Sequence, residues 1–308
     1  MTITDFKHKT VLLEESISLL HIKAGDIFVD GTLGAGGHSL SVCEKFGNSV
    51  RVIGIDADAD AIERAKKRID TLGKNTNFTT SLSNFREIKS VLDSIPLESV
   101  DKILLDLGLS SDQLETSGRG FTFQKDEPLL MTFKKNPTEE DTTAMDIVNN
   151  WNEENITAIL KGFGEERYAY RIARAIVVSR ENRRIERTSE LVEIIKAVVP
   201  AIYRNGRIHF ATKTFQALRI AVNDELGALE QFLNDGWQYL NKGGRMAVIS
   251  FHSAEDRKVK IFFKEKSKEG IGLIITKRPV CPTQEEININ RRARSAKLRV
   301  IQKISVVP

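Results

Sequence analysis

Cysteine is scarce in this chain of 308 residues. The two cysteines, Cys43 and Cys281, stand far apart in sequence and belong to no metal-binding spacing. Their number and placement exclude a disulfide-stapled secreted scaffold and a cysteine-ligated zinc site. We therefore expect no metal centre and a reducing, cytoplasmic location.

Long apolar segments are missing as well. No run approaches the roughly 20 apolar residues that a membrane-spanning helix needs. Residues 1–10 have neither the apolar segment nor the cleavage site of a signal peptide. We expect a chain without membrane contact that is long enough for a full core and two structural units.

A large excess of one charge is also lacking, because 46 basic residues face 42 acidic ones and leave a net charge of +4. The distribution of charge is more informative than this sum. Two segments are rich in basic residues: Arg167, Arg171, Arg174, Arg180, Arg183, Arg184 and Arg187, then Arg291, Arg292, Arg294, Lys297 and Arg299. Interspersed glutamates leave two interpretations of the first segment open, a solvated helix face or nucleic-acid contact. The second contains almost no acid and favours phosphate contact.

A glycine-rich turn follows the apolar run that ends at Asp30. It contains Gly34, Gly36 and Gly37, and Asp56 closes the next apolar run, twenty-two positions beyond Gly34. Glycines between a strand and a helix let the backbone approach a ligand, and an acid about 20 residues further on suits a pair of ribose hydroxyls. The pattern predicts a nucleotide-type cofactor site.

The acid at Asp30 helps to distinguish between cofactors. A carboxylate close to a diphosphate repels it, whereas the sulfonium and ammonium groups of S-adenosylmethionine are attracted. An NAD-dependent oxidoreductase would also be expected to have a third glycine where Ser39 stands. We therefore favour a methyl donor over a nicotinamide cofactor.

Strand-like apolar runs alternate with helical periodicity in the first third of the chain, which predicts a parallel α/β sheet. A loop followed only by helices is predicted from residue 107 to about 210, and alternation then resumes. This pattern predicts an α/β domain, residues 1–109 and 210–308, interrupted by a helical insert at 110–209. The seven expected strands are 27–30, 50–56, 77–80, 100–106, 245–250, 272–276 and 298–304. One helical stripe is expected to run from Lys213 to Leu240.

Polar motifs stand at the ends of four predicted strands. They are Asp30 with its glycine turn, Asp56, the segment from Asp106 to Ser111, and the segment from Ser250 to Ser253. Ligands of open α/β sheets bind beyond the carboxyl ends of the strands. We expect these four segments to line one cleft.

The motifs follow one another in the order of a known family. They are DGTLGAGGHS from Asp30, GIDAD around Asp56, LLDLGLSSDQL from Leu104, RGFTF from Arg119 and SFHSAEDR from Ser250. Over nearly the whole chain the sequence resembles the RsmH/MraW methyltransferases. The resemblance implies S-adenosylmethionine-dependent methylation of the exocyclic N4 amine of a cytosine in the decoding centre of 16S ribosomal RNA.

The resemblance also implies a fold and a set of site residues. The fold is a Rossmann-like, seven-stranded methyltransferase sheet interrupted by a helical substrate-recognition domain. The partner is 16S ribosomal RNA, within the small ribosomal subunit, and the oligomeric state stays open. The implied cofactor contacts are the turn residues Gly36, Gly37 and His38, Asp56 for the ribose, Phe85 for the adenine, and Asp106 and Gln113.

One segment departs from the family pattern. The family has Pro-Leu-Asp-Met-Arg-Met where this chain has Leu130 and Thr132 in place of the acid and the arginine. A carboxylate and a guanidinium are lost together, so no charge is left unpaired. We expect an active enzyme, with a cofactor-binding but catalytically weak ribosome-assembly factor on the same fold as the alternative.

Methyl transfer from a sulfonium to an aryl amine needs alignment and an acceptor for the amine hydrogens, and it needs no covalent nucleophile. Asp106 is the first candidate for the acceptor, unless it holds the methionine part of the cofactor. Ser110 and nearby backbone carbonyls are the alternatives. His252 is a candidate proton relay or a structural hydrogen-bonding residue.

Two further pairs of residues are candidates for RNA binding. Phe121, beside Arg119, has two interpretations, because such an aromatic ring either stacks on a splayed base or anchors the insert to the sheet. Arg292 and Arg294 lie in the second basic segment and are predicted to contact phosphates.

Overall fold

The computed structural model describes residues 10–73, 75–108, 117–134 and 137–305. The chain divides into two compact units. The first unit combines Met1–Gly108 with Leu226–Pro308, and the second is Leu109–Glu225. We call them the sheet unit and the helical unit.

The sheet unit contains seven strands in the order β3-β2-β1-β4-β5-β7-β6. The first five strands of this order are parallel to one another, and β7 runs antiparallel to both β5 and β6. The strands are β1 (Ile27–Asp30), β2 (Arg51–Asp56), β3 (Asn77–Leu82), β4 (Val100–Asp106), β5 (Leu240–Ser250), β6 (Gly272–Ile274) and β7 (Lys297–Lys303).

Helices accompany the sheet before and after the helical unit. The first group is α1 (Leu13–Leu20), α2 (Gly37–Phe46), α3 (Ala59–Asp70) and α4 (Ile88–Asp93). The helical unit contains α5 (Ala144–Asn150), α6 (Glu153–Gly162), α7 (Ala169–Asn182), α8 (Thr188–Val198), α9 (Ala201–Arg204) and α10 (Thr212–Asn223). The last group is α11 (Glu225–Tyr239), α12 (Ser253–Lys268) and α13 (Gln284–Ile289).

The central strands are buried on both faces. Successive side chains of a strand point to opposite faces, so Ile103 and Leu105 of β4 enter one cluster with Phe232 of α11. Leu104 enters another cluster with Ile17 of α1. Burial on both faces explains why these strands are continuous apolar runs in the sequence.

The helical unit has a hydrophobic core of its own. Ile172 and Ile176 of α7 are fully buried in it, together with Leu191 and Ile195 of α8. The positions agree with the helical stripes predicted for these two segments. A capping box also fixes the start of α5, because the Thr143 side chain accepts a hydrogen bond from the backbone of Asp146.

The predicted fold class is confirmed, since the chain forms a seven-stranded α/β sheet interrupted by helices. The bounds of β1 and β4 agree with the prediction, and β5 begins five residues earlier than expected, at Leu240. Among the described residues, no helix is both long and apolar enough to cross a membrane.

The expectation of one helical stripe from Lys213 to Leu240 is wrong. Asp224 has a left-handed backbone with φ 44° and ends α10, and α11 then begins at Glu225. Phe215 lies in the core of the helical unit, whereas Leu229 lies in a core cluster of the sheet unit. The second boundary of the insert therefore moves from residue 209 to Glu225.

The start of α2 depends on a glycine at position 36. Gly36 has φ 76°, and a Cβ there would lie 2.9 Å from the Cβ of Ala65 in α3. We expect Gly36→Ala to lower the free energy of unfolding by roughly 2 to 4 kcal/mol, because it adds overpacking to left-handed strain. Gly25→Ala is the matched control, since Gly25 has φ 90° with no atom within 4 Å of its added Cβ. Urea unfolding that gave equal losses for both variants would contradict the packing argument.

Candidate functional site

Asp30 lies beneath the glycine turn at the end of β1. Its side chain is 1% exposed, and each carboxylate oxygen has a partner in the turn or the helix that follows. Oδ1 accepts a hydrogen bond from the Thr32 backbone N–H at 3.3 Å, and Oδ2 accepts one from the Ser39 hydroxyl at 2.7 Å. Burial raises the pKa of Asp30 to about 6. Asp30 thus braces the turn and adds a carboxylate close to it.

Asp56 holds the same turn from the end of β2. Its Oδ2 accepts a hydrogen bond from the Gly34 N–H at 2.7 Å, and its Oδ1 accepts one from the Asp58 N–H at 2.8 Å. Burial raises the pKa of Asp56. A carboxylate oxygen accepts two hydrogen bonds, so each oxygen retains an acceptor position for a ligand hydroxyl.

Asp106 ends β4 and is positioned by Thr32. The backbone N–H of Asp106 donates to the Thr32 hydroxyl oxygen at 2.6 Å. Its Oδ1 is buried and has no hydrogen-bond partner among the described residues. Burial, together with the charges of Asp30 and Glu255, holds the pKa of Asp106 well above its usual range. A buried acceptor without a donor is costly, which is typical of a ligand or catalytic site.

His252 lies where β5 passes into α12, and it caps that helix. Its Nδ1 accepts a hydrogen bond from the Glu255 N–H at 3.3 Å, and its Nε2 lies 3.1 Å from the Glu255 Oε1. Glu255 is 2% exposed and accepts hydrogen bonds from the backbone N–H groups of Phe251 and His252. This capping box supports the structural interpretation of His252.

Sequence reasoning missed Glu255. The available signal was the spacing of His252 and Glu255, because an acid three residues after a helix cap is typical of a capping box. The buried carboxylate both holds the segment at the end of β5 and raises the pKa of Asp106.

Phe85 opens the turn that follows β3. Its ring is partly buried and packs edge-to-face on Phe232 of α11, with ring centroids 5.7 Å apart. Edge-to-face contact fixes the orientation of the ring. The geometry is compatible with the predicted contact between Phe85 and an adenine.

His38 is a predicted cofactor residue whose side chain is 3% exposed. Burial lowers the pKa of His38 to about 4, so the imidazole is neutral at physiological pH. Its backbone N–H belongs to the first turn of α2, where N–H groups lack partners within the helix. The backbone N–H can therefore donate to a ligand at the glycine turn, and the buried Nε2 has no hydrogen-bond partner among the described residues.

The four predicted strand ends lie at one edge of the sheet. β1 stands between β2 and β4, and Asp30 is in register with Gly54 and Leu104. β5 adjoins β4 in parallel, with Asp106 opposite Ile249. This common edge agrees with the cleft expected from the sequence, whereas Ser110 and Gln113 lie outside the described residues.

Two predicted RNA contacts have structural roles in the helical unit. Phe121 is 7% exposed and stacks on Phe133, with ring centroids 5.8 Å apart. Arg119 donates from Nη1 to the carbonyl oxygens of Thr132 and Phe133, at 3.1 and 2.6 Å. The ring is buried in the core of the helical unit, which favours the packing interpretation of Phe121 over stacking on RNA bases. The Arg119 side chain is also used within the protein, because its Nη1 donates to backbone carbonyl oxygens.

The departure from the family pattern is accommodated within a folded segment. Thr132 is 5% exposed, and its hydroxyl oxygen accepts a hydrogen bond from the Lys134 N–H at 3.2 Å. The neighbouring Met131 N–H donates to the Arg119 carbonyl oxygen at 2.7 Å. The threonine is therefore buried with its hydroxyl satisfied.

Comparison with known proteins places this arrangement in a family. Residues 5–304 match the MraW methylase family. The chain belongs to that family. It is a methyltransferase, and S-adenosylmethionine is its cofactor.

Similar proteins span the whole chain. The ribosomal RNA small subunit methyltransferase H of Clostridium botulinum (strain 657 / Type Ba4) is 45% identical, over 97% of this chain and 100% of that protein. The protein of the same name from Brevibacillus brevis is 41% identical, over 99% of this chain and 100% of that protein. The solved structure of a putative rRNA-methylase from Clostridium thermocellum covers all of both chains at 14% identity, with a TM-score of 0.47.

The site residues of this MraW family member fit the cofactor. The unpartnered Oδ1 of Asp106 is a buried acceptor suited to an ammonium group. Asp56 retains acceptor positions suited to ribose hydroxyls, and Gly36 leaves the backbone of the turn open to close approach. The raised pKa values of Asp30 and Asp106 indicate a site that gains from a bound cation.

The burial of Asp30 predicts a pH-dependent effect of Asp30→Asn. The carboxyl group is protonated in both folded and unfolded protein well below the unfolded pKa of 3.8, and its favourable contribution is lost as pH rises through the folded pKa of about 6. An asparagine can keep partners for Thr32 and Ser39 without charge. We expect the variant to raise the free energy of unfolding at pH 8 by up to about 3 kcal/mol, since one pKa unit is worth about 1.4 kcal/mol.

The test of Asp30→Asn compares urea unfolding of the variant and the wild type, without cofactor, at pH 8 and pH 4. Most of the difference should be gone at pH 4, which lies close to the unfolded pKa of 3.8. A gain of equal size at both pH values would contradict ionisation of a buried Asp30 as its cause. Asp70→Asn provides a control, because Asp70 is exposed at the end of α3.

Proposed function

We propose that this methyltransferase transfers the methyl group of S-adenosylmethionine to the exocyclic N4 amine of a cytosine in the decoding centre of 16S ribosomal RNA. The observation that carries the proposal is the buried, unpartnered carboxylate oxygen of Asp106 beside the glycine turn. The names of the curated relatives support ribosomal RNA of the small subunit as the substrate. The choice of the cytosine amine rests on the order of the sequence motifs.

Residues at three strand ends would hold the cofactor, which supplies an electrophilic methyl group when bound. Asp56 would accept hydrogen bonds from the ribose hydroxyls, and Phe85 would pack against the adenine. The backbone from Gly34 to His38 would approach the cofactor at the turn. We assign Gln113 a further contact on the basis of the resemblance, and the helical unit the role of RNA recognition.

Asp106 would act in one of two ways. A cytosine amine is a weak nucleophile because its lone pair is delocalised into the ring. An acceptor for the amine hydrogens would localise the pair as the new carbon–nitrogen bond forms, and the raised pKa of Asp106 suits an acceptor of that proton. Alternatively, Asp106 would bind the ammonium group of the cofactor, and Ser110 or a backbone carbonyl would accept the amine hydrogens.

His252 is a less suitable proton relay than Asp106. Its Nδ1 accepts a hydrogen bond from the Glu255 N–H, and its Nε2 faces the Glu255 carboxylate. Nδ1 is therefore used by the capping box of α12, whereas the buried Nε2 has no hydrogen-bond partner among the described residues. We infer that His252 positions the segment at the end of β5.

The alternative functions have weaker support. A nicotinamide oxidoreductase would have a glycine in place of Ser39, whose hydroxyl is bonded to Asp30. A catalytically weak assembly factor is favoured only by Leu130 and Thr132, and Thr132 lies in an ordered, hydrogen-bonded segment.

The function is tested by incubating the protein and S-adenosylmethionine with small subunits from a bacterial strain that lacks this methylation. Mass spectrometry should then place one added methyl group on N4 of a single decoding-centre cytosine. Methylation of a different base, or none at saturating cofactor with an enzyme that binds the cofactor, would contradict the proposal.

Replacement of Asp56 tests the ribose contact. We expect Asp56→Ala to weaken S-adenosylmethionine binding by roughly 1.5 to 3 kcal/mol, because a charge-assisted hydrogen bond is lost. Asp56→Asn, which keeps an acceptor for the Gly34 N–H, should lose less. Isothermal titration measures both variants, and unchanged affinity in Asp56→Ala would remove Asp56 from the cofactor site.

Replacement of Asp106 distinguishes its two possible roles. We expect Asp106→Asn to lower turnover at least about ten-fold, which corresponds to roughly 1.4 kcal/mol in the barrier. A lower rate with intact cofactor affinity would favour contact with the amine, and a parallel loss of both would favour contact with the ammonium group. Wild-type turnover at saturating cofactor would exclude Asp106 from the mechanism.

A further inference from the structure

One face of α7 presents three guanidinium groups. Arg167 stands just before the helix, and Arg171 and Arg174 follow at intervals of four and three residues. The spacing of three residues places Arg171 and Arg174 on the same side of the helix, and Arg167 lies over the same Tyr168 ring as Arg171. All are exposed, and none has a carboxylate partner among the residues that the structure describes. We call these residues the arginine face.

An aromatic pair supports the arginine face. The guanidinium carbons of Arg167 and Arg171 lie 5.7 and 5.9 Å from the centroid of the Tyr168 ring. Tyr168 packs edge-to-face on Tyr203, with centroids 4.9 Å apart. Cation–π contact orients the two guanidinium groups while their hydrogen-bond donors stay available.

The acid next to Arg167 in sequence is turned inward. Glu166 is 3% exposed, and its Oε1 accepts a hydrogen bond from the Tyr168 N–H at 2.8 Å. Its Oε2 accepts one from the Tyr203 hydroxyl, also at 2.8 Å. The Glu166 carboxylate is therefore used to fix the two tyrosines and does not pair with the arginine face.

The segment after Tyr203 adds positive charge to the same end of α7. Arg204 and Arg207 are exposed, and they too have no carboxylate partner within the described part of the chain. The contact between Tyr203 and Tyr168 brings this segment to the start of α7. Five guanidinium groups thus belong to neighbouring segments of the helical unit.

Several other cations of the helical unit are paired with acids. Arg183 lies 3.1 Å from Glu190, and Lys196 lies 3.0 Å from Glu193. Lys134 pairs with Asp141. Basic residues of this unit therefore differ in whether they have a carboxylate partner. On an evenly solvated surface we would expect no such difference.

We propose that the arginine face, with Arg204 and Arg207, binds the phosphate backbone of the RNA substrate. The proposal rests on the proposed function, because that function supplies an RNA partner. Guanidinium groups bind phosphates through paired, charge-assisted hydrogen bonds. Arg171 and Arg174 are about 4.5 Å apart along the helix axis and Arg167 precedes them, so the face can contact more than one phosphate. Contacts to phosphates position the RNA without reading its sequence.

The test is a triple variant with Arg167→Gln, Arg171→Gln and Arg174→Gln. The matched control is Lys134→Gln, Arg183→Gln and Lys196→Gln, which changes the net charge equally but removes cations that are already paired. Binding of both variants to purified small-subunit ribosomal RNA is measured over a series of salt concentrations. We expect the test variant to bind at least about ten-fold more weakly at low salt, with a log–log salt slope shallower by about two to three units. The control should keep the wild-type slope.

Two measurements separate this proposal from other causes. Cofactor affinity by isothermal titration and the melting temperature should stay at wild-type values in the test variant. A wild-type salt slope in the test variant would overturn the proposal, and so would an equal loss of slope in the control. If binding to purified RNA were unchanged while binding to assembled small subunits weakened, the face would contact protein, and the proposal would be wrong.

The outcome is distinguishable from failure of the proposed function. If the wild-type protein bound RNA but methylated no cytosine, the function would be wrong, and the salt slopes would still decide the role of the arginine face. If the wild-type protein bound RNA without salt dependence, phosphate binding by the face would be refuted. If methylation occurred as proposed and the test variant behaved as wild type, the arginine face alone would be refuted.

Discussion

A chain of hydrogen bonds beneath the glycine turn is the interaction on which the site depends. Ser39 of α2 donates to Asp30, which also accepts from the Thr32 N–H. The Thr32 hydroxyl oxygen then accepts from the Asp106 N–H. One continuous network therefore joins α2, the end of β1 and the end of β4. The backbone geometry of the turn and the position of Asp106 are set together, and a disturbance at any of these residues reaches both.

The network places acids where their charges repel one another. Asp30 and Glu255 are both buried, and their charges add to burial in raising the pKa of Asp106. This arrangement is unfavourable for the protein alone, because buried carboxylates lose hydration and lie near like charges. A cationic methyl donor relieves the repulsion. The buried carboxylates thus lower the stability of the protein without cofactor, and cofactor binding restores it. Functional sites commonly show this compromise.

The sequence was most informative where an apolar run and the acid at its end both indicated a strand of the sheet. β1 and β4 are continuous apolar runs ending in Asp30 and Asp106, and parallel strands buried on both faces produce that pattern. The break at Asp224 was not predictable, since one apolar stripe continues across it and only tertiary contacts assign its halves to different cores. The arginine–aromatic pattern around Phe121 was equally ambiguous, because core packing and base stacking use the same residue types. The roles of Ser110 and Gln113 stay predictions.

The order of the strands has a consequence for synthesis of the chain. β4 acquires its second neighbour only when β5 forms, and the whole helical unit is translated between them. At bacterial elongation rates this interval is on the order of ten seconds. During that time the strand that ends in Asp106 is an open sheet edge, able to pair with another nascent strand. The exposure ends when α11 and β5, which follow the helical unit in the chain, join the sheet.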